Sequence, residues 1–165
     1  MILGFKELAS VCAAISAGKQ AVLLRKAGLR ESTADSVFAA RSFYLLPTQY
    51  HEKKKAESSE GFPVSLHVHV IQSGDLLEWS NIEKLMPLTA YDPKTIREHF
   101  HSRDEKLLHF AHIRAFQLEP VWQLAPSPSL SGCRSWFELP NPPAGIKETS
   151  VPETDIAHQT ARLLS

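Results

Sequence analysis

The run AVLLRKAGLRESTADSVFAARSFYLLPTQYHEKKK, residues 21–55, decides how the chain is read. It holds two short apolar pieces, Ala21–Leu24 and Ser42–Leu46, and each ends in residues that no core would choose. Arg25-Lys26-Ala27-Gly28 follows the first piece and Pro47-Thr48-Gln49-Tyr50-His51 the second. Both pieces read as strands, and paired strands present polar groups at their ends. If the two are neighbours, Arg25, Lys26, Glu31, Thr48 and His51 line one surface depression. An arginine offers a planar fork of donors and a lysine a mobile point charge, while Gly28 lets backbone amides approach closely. This corner therefore suits a phosphate or a carboxylate. It is no Walker loop, because the glycine spacing and the closing Lys-Ser/Thr pair are missing.

Working outward, Phe5, Leu8, Val11 or Cys12, and Ile15 fall at helical spacing, with Gly18 placed to end that helix. A strand pairing back on Ala21–Leu24 is the competing reading of the same residues. Pro47 is expected to end its strand or to sit at an edge. Residues 52–62, EKKKAESSEGF, have no periodicity and read as an exposed loop. From Pro63 the pattern alternates, with Val64, Leu66, Val68 and Val70 on one face and Ser65, His67 and His69 on the other, as in a half-buried strand. Ser80 with Glu83 makes a capping box for a short helix stopped by Pro87. Asp92-Pro93 opens another, with Ile96 and Phe100 on its inner face. Leu107–Leu118 is apolar on both faces and belongs in the middle of a sheet, where His112 and Arg114 need partners. Cys133–Leu139 is the last strand.

These elements predict one α+β domain over residues 1–145, built on a mixed, mainly antiparallel sheet with short helices. Residues 146–165 are expected to form a polar, flexible C-terminal tail that can carry a short terminal helix at Ile156–Leu164. At 165 residues, 43% hydrophobic and 22% charged, the chain can bury a core. Its 18 basic and 18 acidic side chains cancel, so no bulk field draws it to nucleic acid or to an anionic membrane. No apolar run approaches a membrane span. Glu7 interrupts the apolar start, which reads as part of the fold rather than as a leader. Cys12 and Cys133 read as two buried thiols, which implies a cytoplasmic setting.

Four ordered blocks carry a family likeness: LLRKAGLRE (23–31), FYLLPTQYH (43–51), HIRAFQLEPVW (112–122) and SLSGCRSWFEL (129–139). Together they resemble the bacterial family of domain of unknown function 1802, over roughly residues 5–140. The matching positions are Arg25, Lys26, Gly28, Glu31, Pro47, Thr48, His51, Gly132, Cys133, Ser135 and Trp136. The chain departs from the pattern at Ala27, where the family has glycine, at Glu52, where it has glutamine, and at Leu8, where it usually has tryptophan. The resemblance implies a link to restriction–modification through fusion with nuclease-type domains, and it assigns no catalytic residue.

The leading functional expectation is an accessory or recognition module that binds nucleic acid or a phosphorylated ligand through Arg25, Lys26, Gly28, Thr48 and His51. Pro47, Gly132, Cys133 and Trp136 are expected to support that site. The alternative is a divergent metal-dependent nuclease or hydrolase, with His51 as base and Glu31 as metal ligand or proton carrier. Magnesium or manganese enters only on that alternative, whose usual Glu-x-Lys pattern falls on no strand read here. A structural protein without a small ligand is the third reading. His67 and His69 could offer two metal ligands, but no third stands at recognisable spacing, so no metal site is assigned.

Overall fold

The computed structural model describes residues 1–26, 37–49, 61–132 and 134–165. In chain order its strands are β1 (Ile2–Leu8), β2 (Val22–Arg25), β3 (Ser42–Thr48), β4 (Phe62–Leu76), β5 (Leu108–Leu124), β6 (Trp136–Leu139) and β7 (Lys147–Ser150). Its helices are α1 (Ala9–Ser16), α2 (Trp79–Leu85), α3 (Pro93–His101) and α4 (Asp155–Leu164), with short 3-10 turns between them. The sheet order is β2-β5-β4-β3-β1-β6, and β7 pairs with β5. Only the β1–β3 ladder is parallel among these pairs. The molecule is thus a single α+β domain on a mixed, mainly antiparallel sheet, as the sequence predicts.

The long strands form where the pattern is clearest. Phe62, Val64, Leu66 and Val68 are buried at alternate positions of β4. Irregularities at Val64/Leu66 and Val70/Gln72 then let it follow β5 around the core. β5 is buried at six consecutive positions from Leu108 to Ile113, as befits a strand flanked on both edges. Leu45 and Leu46 feed two different core clusters, because successive side chains of a strand point to opposite faces. The larger cluster joins Phe5, Phe38 and Phe43 to the helix residues Val11, Ile15, Ile82, Ile96 and Phe100. The smaller one gathers Leu46, Val64, Leu118, Trp122, Phe137 and Leu139.

Four expectations need correction. The N-terminal helical period splits: Phe5 and Leu8 lie in β1, and only Ala9–Ser16 is helical. Gly4 to Glu7 are all buried, so β1 is an inner strand between β3 and β6, and a two-residue overlap with helical spacing hid it. Gly18 does end the helix, at φ +74, where a side chain is strained, and its carbonyl accepts from the Thr154 hydroxyl at 2.6 Å. Pro47 neither ends β3 nor sits on an edge strand. It is paired with Glu7 of β1, while the β4 ladder spans only Ser42–Tyr44, so no bond to β4 is lost there. The Ser80–Glu83 capping box does not form; Glu78 is the N-cap, and the Glu83 carboxylate accepts from the Trp79 indole at 2.8 Å. The Asp92-Pro93 start is as read, with the Asp92 carboxylate accepting from the Thr95 N–H.

The fourth correction concerns residues 146–165. They are no free tail: β7 pairs with Phe116–Glu119 of β5, so the strand read at Cys133–Leu139 is not the last, while the terminal helix read at Ile156–Leu164 forms as α4 and buries Thr160 and Leu164. The signal is faint because all of β7, Lys147-Glu148-Thr149-Ser150, is polar, and its backbone ladder rather than its side chains fixes it. The reading of residues 52–60 as a loop lies outside the described residues.

Two predictions follow from this packing. Trp136 is held between Phe5 and Phe43, with ring centroids 4.7 Å from each, so Trp136→Ala should cost about 3 kcal/mol in a denaturant titration. His112 is buried on β5, and burial holds its imidazole below the usual value, with Glu153 opposing. The unfolded chain then binds the proton more readily than the folded one. Stability should fall as pH drops below about 6.5, the unperturbed histidine value, and His112→Gln should flatten that limb of a pH–melting curve.

Candidate active or binding pocket

Among the described residues, a cavity of about 430 Å³ with a polar wall opens where the end of β1 runs into α1, beside the ends of β2 and β3 and the face of α3. Its apolar wall is Leu8, Ala9, Leu24 and Ile96, and its polar wall includes Glu7, Arg25, Thr48, Gln49, Asp92, Thr95 and His99. Each strand supplies its terminal residues, so the site follows from where the ladders stop.

Glu7 organises the polar wall. Its side chain is 1% exposed, and its carboxylate accepts from the Tyr91 hydroxyl at 2.8 Å, the Leu8 N–H at 2.8 Å and the Arg25 guanidinium at 3.2 Å. Arg25 also donates to the Lys6 carbonyl at 3.0 Å and to the Ser135 hydroxyl at 3.3 Å, and it lies over the Phe5 ring. Its side chain nevertheless keeps 26% exposure on the cavity wall. Tyr91 is buried; it accepts from the Leu24 N–H at 3.1 Å, and burial, then Glu7, pushes its phenol well above the usual range. Thr48 donates to the Glu7 carbonyl at 3.4 Å. His99 is held below the ordinary imidazole value by burial, then by Arg25 and more weakly by Lys26, with Glu98 opposing. Its ring is neutral at neutral pH. Burial pushes the nearby Cys12 thiol up to about 12, with Glu7 adding to the shift, so this thiol is unreactive.

Of the residues expected at the site, the structure brings Arg25 and Thr48 to one cavity. Lys26 does not line it; its amine donates to the carbonyls of Phe100 and Glu105 beside α3. Gly28, Glu31 and His51 lie outside the described residues, and so does Cys133. Pro47 precedes Thr48 in β3, and the Gly132 carbonyl accepts from the Lys6 amine at 3.1 Å. Trp136 packs on Phe5, directly beneath Arg25, rather than opening to the cavity. His67 is engaged by Glu148 at 2.8 Å and His69 packs on Phe116. Among the described residues no group of three or more His, Cys, Asp or Glu is placed to hold a metal ion.

Tyr91, His99 and Gln49 were not read from the sequence as site residues. Only Glu7 carried a signal, as the one carboxylate inside the apolar N-terminal run. The network makes a stability prediction. Tyr91→Phe strips a donor from Glu7 and orphans the Leu24 N–H, which should cost about 1–3 kcal/mol. Arg25→Ala leaves a buried carboxylate without its counter-charge and should cost about 3–5 kcal/mol, measured by chemical denaturation.

No curated protein matches this chain. Among solved structures it is similar to the ASCH protein of Zymomonas mobilis, with 9% identity and a TM-score of 0.47 over 98% of this chain and 94% of that one. Two single-residue variants of the same protein align with TM-scores of 0.49, at 9% identity over 98% and 94%, and 0.45, at 11% identity over 67% of each chain. A family model described as a domain of unknown function matches residues 4–161, so the chain belongs to the DUF1802 family.

Proposed function

We propose that this protein is a recognition module whose cavity binds nucleic acid or a phosphorylated, nucleotide-sized ligand. The observation that carries the reading is Arg25: its guanidinium is exposed to the cavity while the carboxylate that fixes it is sealed behind. A side chain locked in this way presents donors at little entropic cost on binding. Thr48, Gln49 and His99 add polar groups around apolar walls, the usual make-up of a small-ligand site. The setting assigned is cytoplasmic and accessory to restriction–modification, which rests on the family resemblance and the thiol reading of the cysteines. No helix among the described residues is long and apolar enough to cross a membrane.

A hydrolase is the second reading, and the neutral His99 ring on the cavity wall is what favours it, since such a ring can take a proton. Glu7 is poorly suited to the metal version, because protein donors already engage both its carboxylate oxygens.

Titration of labelled RNA, DNA and a nucleotide panel against the wild type and Arg25→Lys tests the module. Arg25→Lys keeps the charge opposite Glu7 but loses the planar fork, so binding should weaken about tenfold or more in a folded variant. Metal-dependent turnover lost in His99→Asn would instead support the hydrolase. A folded wild type that neither binds nor turns over any member of the panel would sink both.

A further inference from the structure

A second cavity, of about 200 Å³, opens where one edge of β5 changes partner. β2 and β7 both pair along that edge, and they stop short of each other. The Ile113 N–H donates to the Ala21 carbonyl at 2.9 Å, and the Val151 N–H donates to the Ala115 carbonyl at 2.9 Å. Arg114 stands between these two bonds. Neighbouring side chains of a strand point to opposite faces, so the gap has two unlike sides. Toward α1 and α4 lies an apolar floor of Ile15, Ile113, Ala115, Val151, Ala157 and Ala161. The other side carries His112, Arg114, Glu153 and His158. None of these residues lines the cavity beside Arg25, and the described chain runs unbroken past every one of them.

The polar side is loosely held. Glu153 lies 3.9 Å from the Arg114 guanidinium and 3.8 Å from the His158 imidazole, beyond the roughly 2.7–2.9 Å of a charge-assisted hydrogen bond. The Arg114 and Glu153 side chains keep 49% and 53% exposure, and Arg114 otherwise meets the Ser150 hydroxyl at 3.3 Å and the Phe116 ring. His112 is 7% exposed, yet its ring makes no hydrogen bond to a described residue. Among the described residues no sealed side-chain nitrogen lacks a partner, so the ring nitrogens open onto the cavity. Burial, with Glu153 opposing, holds this imidazole below its ordinary value and so neutral at neutral pH, where it offers an acceptor as well as a donor.

A lone anion taken by Arg114 would leave Glu153 facing it, and a lone cation taken by Glu153 would leave Arg114 unmatched. A ligand carrying both charges a few atoms apart replaces one long ion pair with two close ones. The volume is below the roughly 300 Å³ at which ligand pockets usually begin, so the ligand is small, and the floor calls for an aliphatic group. We propose that this gap binds a free α-amino acid with a short aliphatic side chain. Its carboxylate meets Arg114, its ammonium is shared by Glu153 and His112, and its side chain lies over Ile113, Ala115 and Ala157. The site is independent of the function proposed for the cavity beside Arg25.

NMR titration with leucine, valine and norvaline, following the His112 ring and the Ala157 amide, tests it. Two analogues run beside them, 4-methylpentanoate and isoamylamine, each of which carries only one of the two charges of leucine. At least one of the amino acids should shift both signals saturably, with a Kd of about 1 mM or tighter. The single-charge analogues should bind at least about tenfold more weakly than leucine. Arg114→Gln and Glu153→Gln, both at half-exposed positions, should each weaken amino-acid binding about tenfold with the melting temperature unchanged. Binding of leucine and 4-methylpentanoate with equal affinity would overturn the requirement for both charges. Amino-acid binding untouched in both variants would place the ligand elsewhere and overturn the site. A wild type whose signals none of the three amino acids shifts saturably would overturn the proposal altogether.

Discussion

A carboxylate with 1% of its side chain exposed has to find its donors within the protein, and the fold around Glu7 is arranged to provide them. One donor is the neighbouring backbone and two come from remote parts of the chain. Leu8 supplies the backbone N–H at the start of α1, Tyr91 its hydroxyl from just before α3, and Arg25 its guanidinium from the end of β2. Arg25 in turn reaches the Lys6 carbonyl of β1 and the Ser135 hydroxyl just before β6. One ionic contact thereby joins β2, at one end of the strand order, to β1 and β6 at the other. Buried pairs of this kind contribute little net stability against an apolar replacement, but they are costly to break singly. Here the consequence is geometric. The arginine cannot turn away from the cavity without stranding Glu7.

Much of the fold was legible because local chemistry and tertiary packing agree. β4 shows its alternation, β5 its two apolar faces, and Asp92-Pro93 its cap, and each forms where those signals lie. The failures occur where the deciding contacts are remote. Phe5 and Leu8 fit a helical period as well as a strand, and only the ladders to Leu45 and Trp136 and to Thr48 select β1. β7 has no apolar residue to reveal it; it exists because β5 offers unpaired backbone groups beyond the end of β2. Ser80 and Glu83 satisfied a capping pattern, yet the indole of Trp79 was the nearer claimant on that carboxylate.

The candidate site divides in the same way. Arg25 and Thr48 are visible as polar residues closing apolar strands, and both reach the cavity. Tyr91 lies in no pattern that marks it in the sequence, and its bond to Glu7, 84 residues away, is a contact that only the fold makes. Lys26 had the right composition for a ligand contact and the wrong direction. Just past the end of β2, its amine is taken by the carbonyls of Phe100, in α3, and Glu105, beyond it.

That difference in direction decides what each cation can contribute. Arg25 stands on the cavity wall against Glu7, whereas Lys26 is held off that wall by the Phe100 and Glu105 carbonyls. The guanidinium's charge is already met by a buried carboxylate, so what Arg25 offers at the wall is the fixed direction of its donors more than its charge.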